Sequence, residues 1–445
     1  MQPIGPWLER QYRHAAGAML RSISPVDIVK QRPGFGQTVR ARKGAIVASP
    51  ILAAYDPDPD YFFHWYRDSA VIIDALRLLR SDQTVGPEAL EHLADFVRFS
   101  RSLQHLDGRA LVADAGWRAA VAVDFRKFLR TEADLDRVHD EAVAGETRVN
   151  PDGTLDISSW PRPQHDGPSL RALALLRWAR ESIPALEQAE DLAALIRFDL
   201  EYTARHWRES SFDIWEEEQG RHYYTLRVAA GALAAGARWL ERSEQSDLHR
   251  RCASEAQEIQ RILDEFWLPD AGYYRSRVLS SGASSAKELD IAVILAAVHT
   301  AADARGGPHT PQDPRMHATL ERLEALFGEA YDINRSRPDG MGPAMGRYAG
   351  DVYYSGGAYF FSTLGAAEFC FRAAAHAGDA DAWIGRGDAY LQTVRVHVPA
   401  SGAMSEQFDQ RTGAQTSAKE LAWSYAGFIS CVHARRAAIG QGSRA

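Results

Sequence analysis

The stretch DIWEEEQG (213–220) stands directly before a long helical run that begins HYYTL (222–226). Three carboxylates follow one another, a fourth lies three residues upstream, and Phe212, Ile214 and Trp215 are apolar neighbours. A run of glutamates on a helix usually faces solvent. A carboxyl held among apolar groups and other carboxylates instead resists ionisation, so its pKa rises toward the range that a general acid needs. The stretch therefore predicts a chemical site at the start of a helix, if the chain supplies a partner.

The composition is that of an ordinary globular protein. Its 445 residues include 51 Lys and Arg against 59 Asp and Glu, which gives a net charge of −8, and 45% of them are hydrophobic. No basic stripe is visible, so no nucleic-acid partner is expected. No segment approaches the roughly 18 apolar residues of a membrane span, and the start MQPIGPW (1–7) lacks a secretion signal. We expect a cytoplasmic protein that is a monomer or a weak homo-oligomer.

The three cysteines, Cys252, Cys370 and Cys431, are far apart and odd in number. Neither a disulfide framework nor a metal-ligand spacing is visible, so we predict buried, reduced thiols. No pair of histidines has the spacing of metal ligands, and no phosphate-binding glycine loop or nucleophile elbow is apparent. These patterns favour chemistry that is carried out by ordinary side chains.

Helical periodicity dominates the chain, and strand-like alternation is scarce. We predict twelve helices, at 7–23, from 67, 87–106, from 168, 189–207, 222–240, 247–267, and from about 285, 314, 357, 380 and 417. Twelve helices make six hairpins, which can close into a toroid in which every helix buries a face. A solenoid would show a fixed repeat of roughly 33–47 residues, whereas the spacing here is irregular. The sequence therefore favours the toroid.

Two of these helices share a start. SAKEL occurs at 285–289 and again at 417–421, in each case after a polar loop and before an apolar segment. Serine at the cap with glutamate three residues later is a capping box. We therefore predict that the eighth and twelfth helices begin at Ser285 and Ser417.

The segments with unusual chemistry all precede even-numbered helices. YFFHWYRD (61–68) precedes the second helix, WPRPQHDG (160–167) the fourth, the acidic stretch the sixth, GRYAGDVYY (346–354) the tenth and MSEQFD (404–409) the twelfth. The even helices of a toroid share one direction, so the five segments are expected to converge on one mouth of the barrel. Purely structural loops would have no reason to concentrate aromatic and ionisable groups there.

The side chains at this mouth suit a sugar. Aromatic rings stack on the apolar faces of a pyranose, and charged groups form directed hydrogen bonds with its hydroxyls. The candidates are Tyr61, Trp65, Arg67, Asp68, Trp160, Asp166, Trp215, Glu216, Glu217, Arg347, Tyr348, Tyr353 and Glu406.

Glu216 and Glu406, on separate loops, could supply the acid and the base of glycoside hydrolysis. An inverting enzyme holds two such carboxyls about 6.5–9.5 Å apart, which leaves room for a water molecule. Glu406 lies between Ser405 and Gln407, and this polar company is expected to keep it ionised. The two environments would then give the pair opposite roles.

At these motifs the sequence resembles glycoside hydrolase family 15, the glucoamylase family. The resemblance runs from GAIVASP (44–50) to WSY (423–425), and its motifs stand in the order of the family. They are PDYF and WYRD (59–68), RPQ and DGP (162–168), FDIWEE (212–217), GRY and DVY (346–353), and SEQF (405–408).

The resemblance implies an all-α (α/α)6 barrel and an inverting, exo-acting release of β-D-glucose from the non-reducing ends of α-glucans. It makes Glu216 the general acid and Glu406 the general base, with no metal or organic cofactor. The residues that would bind the terminal glucose are Tyr61, Trp65, Arg67 and Asp68. Those that would line the site near the scissile bond are Trp160, Trp215, Glu217 and Arg347.

The resemblance makes residues 1–445 a single catalytic domain, with neither a starch-binding module nor an N-terminal β-sandwich. Two departures from fungal members concern the region that reads the linkage: SGGAY (355–359) replaces a segment with Asn-Pro-Trp, and His165 replaces an arginine. The expected substrates are short α-1,4-linked gluco-oligosaccharides, and α-1,6-linked ones are a further candidate. A glucohydrolase specific for isomaltose or dextran oligosaccharides and a trehalase remain alternatives. Alternatives of another class are an inverting sugar phosphorylase and a non-catalytic glucan-binding protein.

Overall fold

The computed structural model describes residues 4–54, 57–114, 116–181, 183, 186, 189–241, 246–303, 306–375 and 377–442. Within these residues, twelve helices have ten or more residues. In chain order they are α1 (Gly5–Leu20), α2 (Tyr66–Ser81), α3 (Glu88–Leu103), α4 (Asp166–Ala179), α5 (Glu190–His206), α6 (Tyr223–Leu240), α7 (Ser246–Leu263), α8 (Ala292–Ala301), α9 (Pro314–Ala330), α10 (Phe360–Ala374), α11 (Ala380–His397) and α12 (Ala422–Gly442).

The six even-numbered helices form a closed inner ring. Helix α2 packs on α4, α4 on α6, α6 on α8, α8 on α10, α10 on α12, and α12 on α2. The odd-numbered helices form an outer layer. Helix α5 packs on α4, α7 on α6, α9 on α8, α11 on α10, and α1 on α12. The predicted six-hairpin toroid, an (α/α)6 barrel, is therefore confirmed.

The two layers differ in how their surfaces are buried. Outer helix α7 buries only Cys252, Ala256, Ile259 and Leu263, at the spacing of three and four residues that places them on one stripe. Inner helix α6 is buried over nearly its whole length and is rich in alanine and glycine, which let neighbouring helices approach closely. A helix that is apolar all round must be covered on every side, and the ring of helices provides that cover.

The two SAKEL segments do not begin helices, so both predicted starts are wrong. Helices α8 and α12 begin at Ala292 and Ala422 instead. Ser417 and Glu420 have φ values of 63° and 51°, in the left-handed region, which a helix start excludes. These segments turn along the mouth of the barrel, and the local capping signal loses to those tertiary contacts.

Short antiparallel strands connect the loops. They pair Val29–Arg32 with Gln37–Arg40, His64–Trp65 with Arg148–Val149, Trp267–Leu268 with Tyr273–Tyr274, Gln219–His222 with Ser211–Phe212 and Arg277–Leu279, and Gln407–Phe408 with Ala358–Tyr359 and Gln415–Thr416. In the last sheet Tyr359 lies opposite Gln407. Loops that precede different inner helices are thereby held side by side at the mouth.

The cysteines are buried and form no disulfide, as predicted. No helix in the described ranges has the length and apolar character that a membrane crossing requires.

Candidate active site

A cavity of about 270 Å³ lies at the mouth of the barrel, where the loops before the inner helices meet. All ten residues that the sequence assigned to catalysis or substrate binding line it: Tyr61, Trp65, Arg67, Asp68, Trp160, Trp215, Glu216, Glu217, Arg347 and Glu406. The remaining wall is formed by Ala48, Pro161, Ile214, Tyr353, Tyr359, Phe361, Leu421 and Trp423. The expected convergence of the loops on one mouth is therefore found.

Glu216 projects into the cavity from a tight turn. Its φ of 65° is left-handed, and its backbone N–H donates to the carbonyl of Asp213 at 2.9 Å. One carboxylate oxygen accepts hydrogen bonds from Trp65 Nε1 at 2.8 Å and from an Arg67 guanidinium nitrogen at 3.0 Å. The other accepts from the indole N–H of Trp160. The apolar surroundings predicted for this carboxyl are therefore wrong, because the turn directs it toward three donors.

Glu406 is held on the other side by backbone pairing. Its N–H donates to the carbonyl of Ala418 at 2.8 Å, and its carbonyl accepts from the N–H of Phe360 at 3.2 Å. The hydroxyl of Ser417 donates to its carboxylate, and that of Tyr61 lies 3.3 Å from one carboxylate oxygen. Burial raises the pKa of Glu406 to about 7, although the bonds from Ser417 and Tyr61 oppose this rise.

The prediction that Ser405 and Gln407 supply polar surroundings for the Glu406 carboxyl is wrong. The Ser405 hydroxyl donates to the backbone carbonyl of Gln407, and the Gln407 amide donates to the hydroxyl of Tyr359 at 2.7 Å. Ser405 and Gln407 therefore form hydrogen bonds with other protein atoms and not with the carboxylate of Glu406. The carboxyl of Glu406 instead bonds to the hydroxyls of Ser417 and Tyr61, which come from other segments.

Tyr61 connects the two carboxyls. Its ring packs against Trp65, with centroids 5.1 Å apart, and Trp65 donates to Glu216. Its hydroxyl reaches Glu406 and lies 2.9 Å from the hydroxyl of Tyr353. Through Tyr61 and Trp65, the positions of the two carboxyls are coupled.

A buried charged cluster lies beside Glu216. The Arg67 guanidinium lies 3.6 Å from a carboxylate oxygen of Asp68 and 3.6 Å from one of Asp166, and it donates to Gln164 at 3.0 Å. Burial raises the pKa of Asp68 to about 6, while Arg67 opposes the rise. Burial also raises the pKa of Asp166. Asp166, which we predicted at the mouth, thus lies behind the cavity wall and contacts Arg67.

Glu217 is fixed by two cations. It accepts from Arg347 at 3.0 Å and from Lys287 Nζ at 2.7 Å, and the hydroxyl of Tyr348 also donates to it. We did not predict Lys287. It belongs to the first SAKEL segment, and the signal that could have found it is the position of that segment before an even-numbered helix.

Two further supporting residues were missed. The Trp215 indole donates to Asp290 at 2.8 Å, just before α8, and Ser417, in the second SAKEL segment, bonds to Glu406. The rings of Phe361 and Trp423 stack 4.5 Å apart with an interplanar angle of 9°, and they close the cavity on the side of the barrel axis. Neither stacking nor these bonds leave a local sequence pattern.

His165 does not line this cavity. Its Nδ1 lies 2.8 Å from the hydroxyl of Tyr202, and the ring borders a separate hollow behind Trp160 and Pro161. Trp160 and Pro161 therefore separate His165 from the cavity. Across the described parts of the chain, no group of three or more His, Cys, Asp or Glu side chains is placed to hold a metal ion.

Comparison with known proteins gives a consistent result. A family model described as "Glycosyl hydrolases family 15" matches residues 115–385 and 379–433. Glucoamylase 1 of Rhizopus oryzae is 27% identical, in an alignment that covers 98% of this chain and 72% of the relative. A probable glucoamylase of Schizosaccharomyces pombe is 28% identical over 98% of this chain and 92% of its own length.

Solved structures agree. The structure of Hormoconis resinae glucoamylase is similar with a TM-score of 0.77 and 26% identity, over 98% of this chain and 74% of that one. The glucoamylase from Saccharomycopsis fibuligera, at 22% identity, shares the fold with a TM-score of 0.79, over 99% of this chain and 97% of that one. Because the family model matches well over half of the 445 residues, this chain belongs to glycosyl hydrolases family 15 and is a glycoside hydrolase.

Proposed function

We propose that the protein is an inverting, exo-acting glucoside hydrolase that releases β-D-glucose from the non-reducing ends of short α-1,4-linked gluco-oligosaccharides. Glu216 is the general acid and Glu406 is the general base. The observation that carries the proposal is that both carboxyls line one cavity together with the aromatic and charged side chains expected of a glucose site. The names of the similar glucoamylases support glucan as the substrate.

The reaction takes one step. Glu216 gives its proton to the glycosidic oxygen as the bond to the anomeric carbon breaks. Water attacks that carbon from the opposite face, and Glu406 takes the proton that the water loses. The products are β-D-glucose and a glucan shorter by one unit, and proton exchange with solvent restores both carboxyls.

The size of the cavity supports action at a chain end. About 270 Å³ lies just below the roughly 300–1,000 Å³ of typical sites for drug-sized ligands. In this proposal Arg67 and Asp68 bind hydroxyls of the terminal glucose, and Tyr61 and Trp65 pack against its ring. The residues on the side of the leaving group are Trp160, Trp215, Glu217 and Arg347.

The raised pKa of Glu406 bears directly on its role. A base must be deprotonated, and burial places the pKa of this carboxyl at about 7. Hydrolysis should therefore weaken as the pH falls through neutrality, because Glu406 becomes protonated. The hydroxyls of Ser417 and Tyr61 are the donors that oppose protonation.

Proton NMR of the first product tests the stereochemistry. We expect β-glucose at the start of the reaction, followed by mutarotation. Initial α-glucose would mean retention and would contradict a base that activates water. A panel of maltose, maltotriose, panose, isomaltose and trehalose tests the linkage, and we expect the α-1,4-linked sugars to be hydrolysed fastest.

Analysis of the products also distinguishes hydrolysis from the phosphorylase alternative. A phosphorolytic enzyme uses phosphate as its nucleophile and needs no carboxylate base, so a buried carboxyl at Glu406 favours hydrolysis. We expect glucose release to be independent of phosphate. Formation of glucose 1-phosphate only when phosphate is added would overturn the proposal.

A further inference from the structure

A second hollow, of about 520 Å³, lies between α6 and α7, outside the inner ring. It shares no lining residue with the cavity of Glu216 and Glu406. Much of its wall is alanine, including Ala230 and Ala234 on α6 and Ala253 and Ala256 on α7. The wall also carries three charged residues, Arg227, Arg238 and Asp303.

Arg227 is buried, with 6% of its surface exposed. Its Nε donates to the backbone carbonyl of His309 at 3.1 Å. Among the described residues, no carboxylate oxygen lies within ion-pair distance of its guanidinium, and Ala304 and Arg305, which follow Asp303 in the sequence, carry no acid. A buried charge is normally paired or bound to an ion, so this arginine stands out.

Asp303, the acidic residue on the wall of the hollow, already forms ion pairs with other arginines. Asp303 pairs with Arg177 at 2.8 Å and with Arg180 at 2.5 Å. A second wall residue, Arg238, donates to the backbone carbonyl of Asp303 rather than to its carboxylate at 3.1 Å. Asp303 therefore attracts the guanidinium of Arg227 without forming an ion pair with it.

Another buried arginine shows the usual arrangement. Arg171 makes two hydrogen bonds to Asp199, at 2.8 and 2.7 Å. Burial disfavours the charge of Arg171, but Asp199 outweighs burial and raises its pKa. Burial lowers the pKa of Arg227, because the attraction of Tyr223 and Asp303 offsets only part of the effect of burial. Unlike Arg171, Arg227 therefore has no directly bonded carboxylate among the described residues.

We propose that this hollow is a binding site for a small organic anion. The phosphate or carboxylate group pairs with the guanidinium of Arg227, whose planar array of donors fits either group. The apolar body lies along the alanines of α6 and α7. The volume falls within the roughly 300–1,000 Å³ of small-molecule pockets.

Calorimetric titration of the full chain at constant ionic strength tests the site. The probes are phenyl phosphate, benzoate, inorganic phosphate and, as a neutral control, benzyl alcohol. We expect one saturable site for phenyl phosphate or for benzoate. The probe that binds more tightly identifies the preferred group as a phosphate or a carboxylate. Inorganic phosphate should bind more weakly because it lacks the apolar body, and benzyl alcohol should not bind measurably.

Variants locate the binding. Arg227→Gln should weaken binding about tenfold or more, because a charge-assisted hydrogen bond is lost, while Arg227→Lys should retain part of it. Ala234→Phe fills the hollow and should abolish binding with Arg227 in place, which keeps the test valid if Arg227→Gln folds poorly. Arg261→Gln, on the exposed face of α7, is the matched control and should bind as the wild type does.

Two results would overturn the proposal. One is the absence of saturable binding of any of the anions to the wild-type chain, and the other is unchanged affinity in Arg227→Gln and Ala234→Phe. The titration measures binding without hydrolysis. The outcome is therefore independent of the catalytic roles proposed for Glu216 and Glu406.

Discussion

The indole nitrogen of Trp65 lies 2.8 Å from a carboxylate oxygen of Glu216 and donates a hydrogen bond to it. The two residues are 151 positions apart, and they precede different inner helices, α2 and α6. The bond therefore joins two hairpins. The orientation of the proposed acid depends on the closure of the barrel and not on its own loop alone.

Trp65→Phe removes this donor but keeps a ring against Tyr61. A hydrogen bond to a charged group contributes about 1.5–3 kcal/mol, so we expect kcat to fall about 10- to 100-fold. Steady-state kinetics on maltose checks this. Trp117→Phe is the matched control, because that indole donates to the Leu111 carbonyl away from the cavity, and its kcat should be unchanged. Full activity of Trp65→Phe would show that the bond does not position the acid.

Glu216→Gln and Glu406→Gln each keep the size of the side chain and remove its proton chemistry. We expect each to lower kcat by about 10²–10⁴-fold with little change in the binding of maltose. Kinetics and calorimetric binding to the variants measure the two effects separately. Glu218→Gln, in the same acidic run, should retain much more activity, because Glu218 pairs with Arg277 and does not line the cavity. A fully active Glu216 or Glu406 variant would remove the assigned role.

Ser417→Ala tests the pH dependence. The Ser417 hydroxyl bonds to the carboxylate of Glu406 and lowers its pKa, while burial raises that pKa to about 7. Removing the donor raises the pKa further, so the base becomes protonated at a higher pH. The acidic limb of the kcat/KM profile should therefore move to higher pH, with activity retained in alkaline buffer.

The exposed Ser336 offers a control for this shift, since Ser336→Ala should leave the profile unchanged. A limb that stays in place, or moves to lower pH, in Ser417→Ala would mean that Glu406 is not the group that must lose its proton.

Lys287→Met removes one of the two cations that hold Glu217. The pair with Lys287 is partly exposed, so we expect a modest effect, a rise in KM for maltose of about three- to tenfold. Lys287→Arg retains the charge and should restore most of the affinity. Equal KM values for the methionine and arginine variants would show that the charge of Lys287 does not position Glu217.

Asp199→Ala tests the packing of α4 against α5. It leaves Arg171 buried without a partner, which should lower the free energy of unfolding by about 3–5 kcal/mol. Urea denaturation measures this. Asp191→Ala removes an exposed pair with Arg101 at the start of α5 and should cost at most about 1 kcal/mol. Similar losses of unfolding free energy in both variants would show that burial does not determine how much an ion pair contributes to stability.

The inner and outer helices could be predicted because burial repeats along them. In α7, four buried residues recur at the helical spacing, and in α6 an apolar run fills the whole helix. The starts of α8 and α12 could not be predicted. The N–H of Ile291 donates to the carbonyl of Arg347 and that of Leu421 to the carbonyl of Met404, and such distant partners override a local capping signal.

The members of the site could be predicted, but their electrostatic surroundings could not. Glu216 and Glu406 stand in recognisable segments before even-numbered helices. Their surroundings depend on where neighbouring side chains point. Ser405 bonds to a backbone carbonyl, so Glu406 receives its hydroxyl donor from Ser417 instead, and Trp65 brings a donor to Glu216 from another hairpin.

Helix α12 completes the inner ring by packing against α2 and α10. During synthesis on the ribosome, a chain that stops before residue 404 already carries Glu216 but lacks Glu406, Ser417 and Trp423. Its α2 and α10 would expose apolar faces until α12 is made, and such faces favour aggregation. Enzyme activity should consequently appear only after the segment from Glu406 through α12 has been translated.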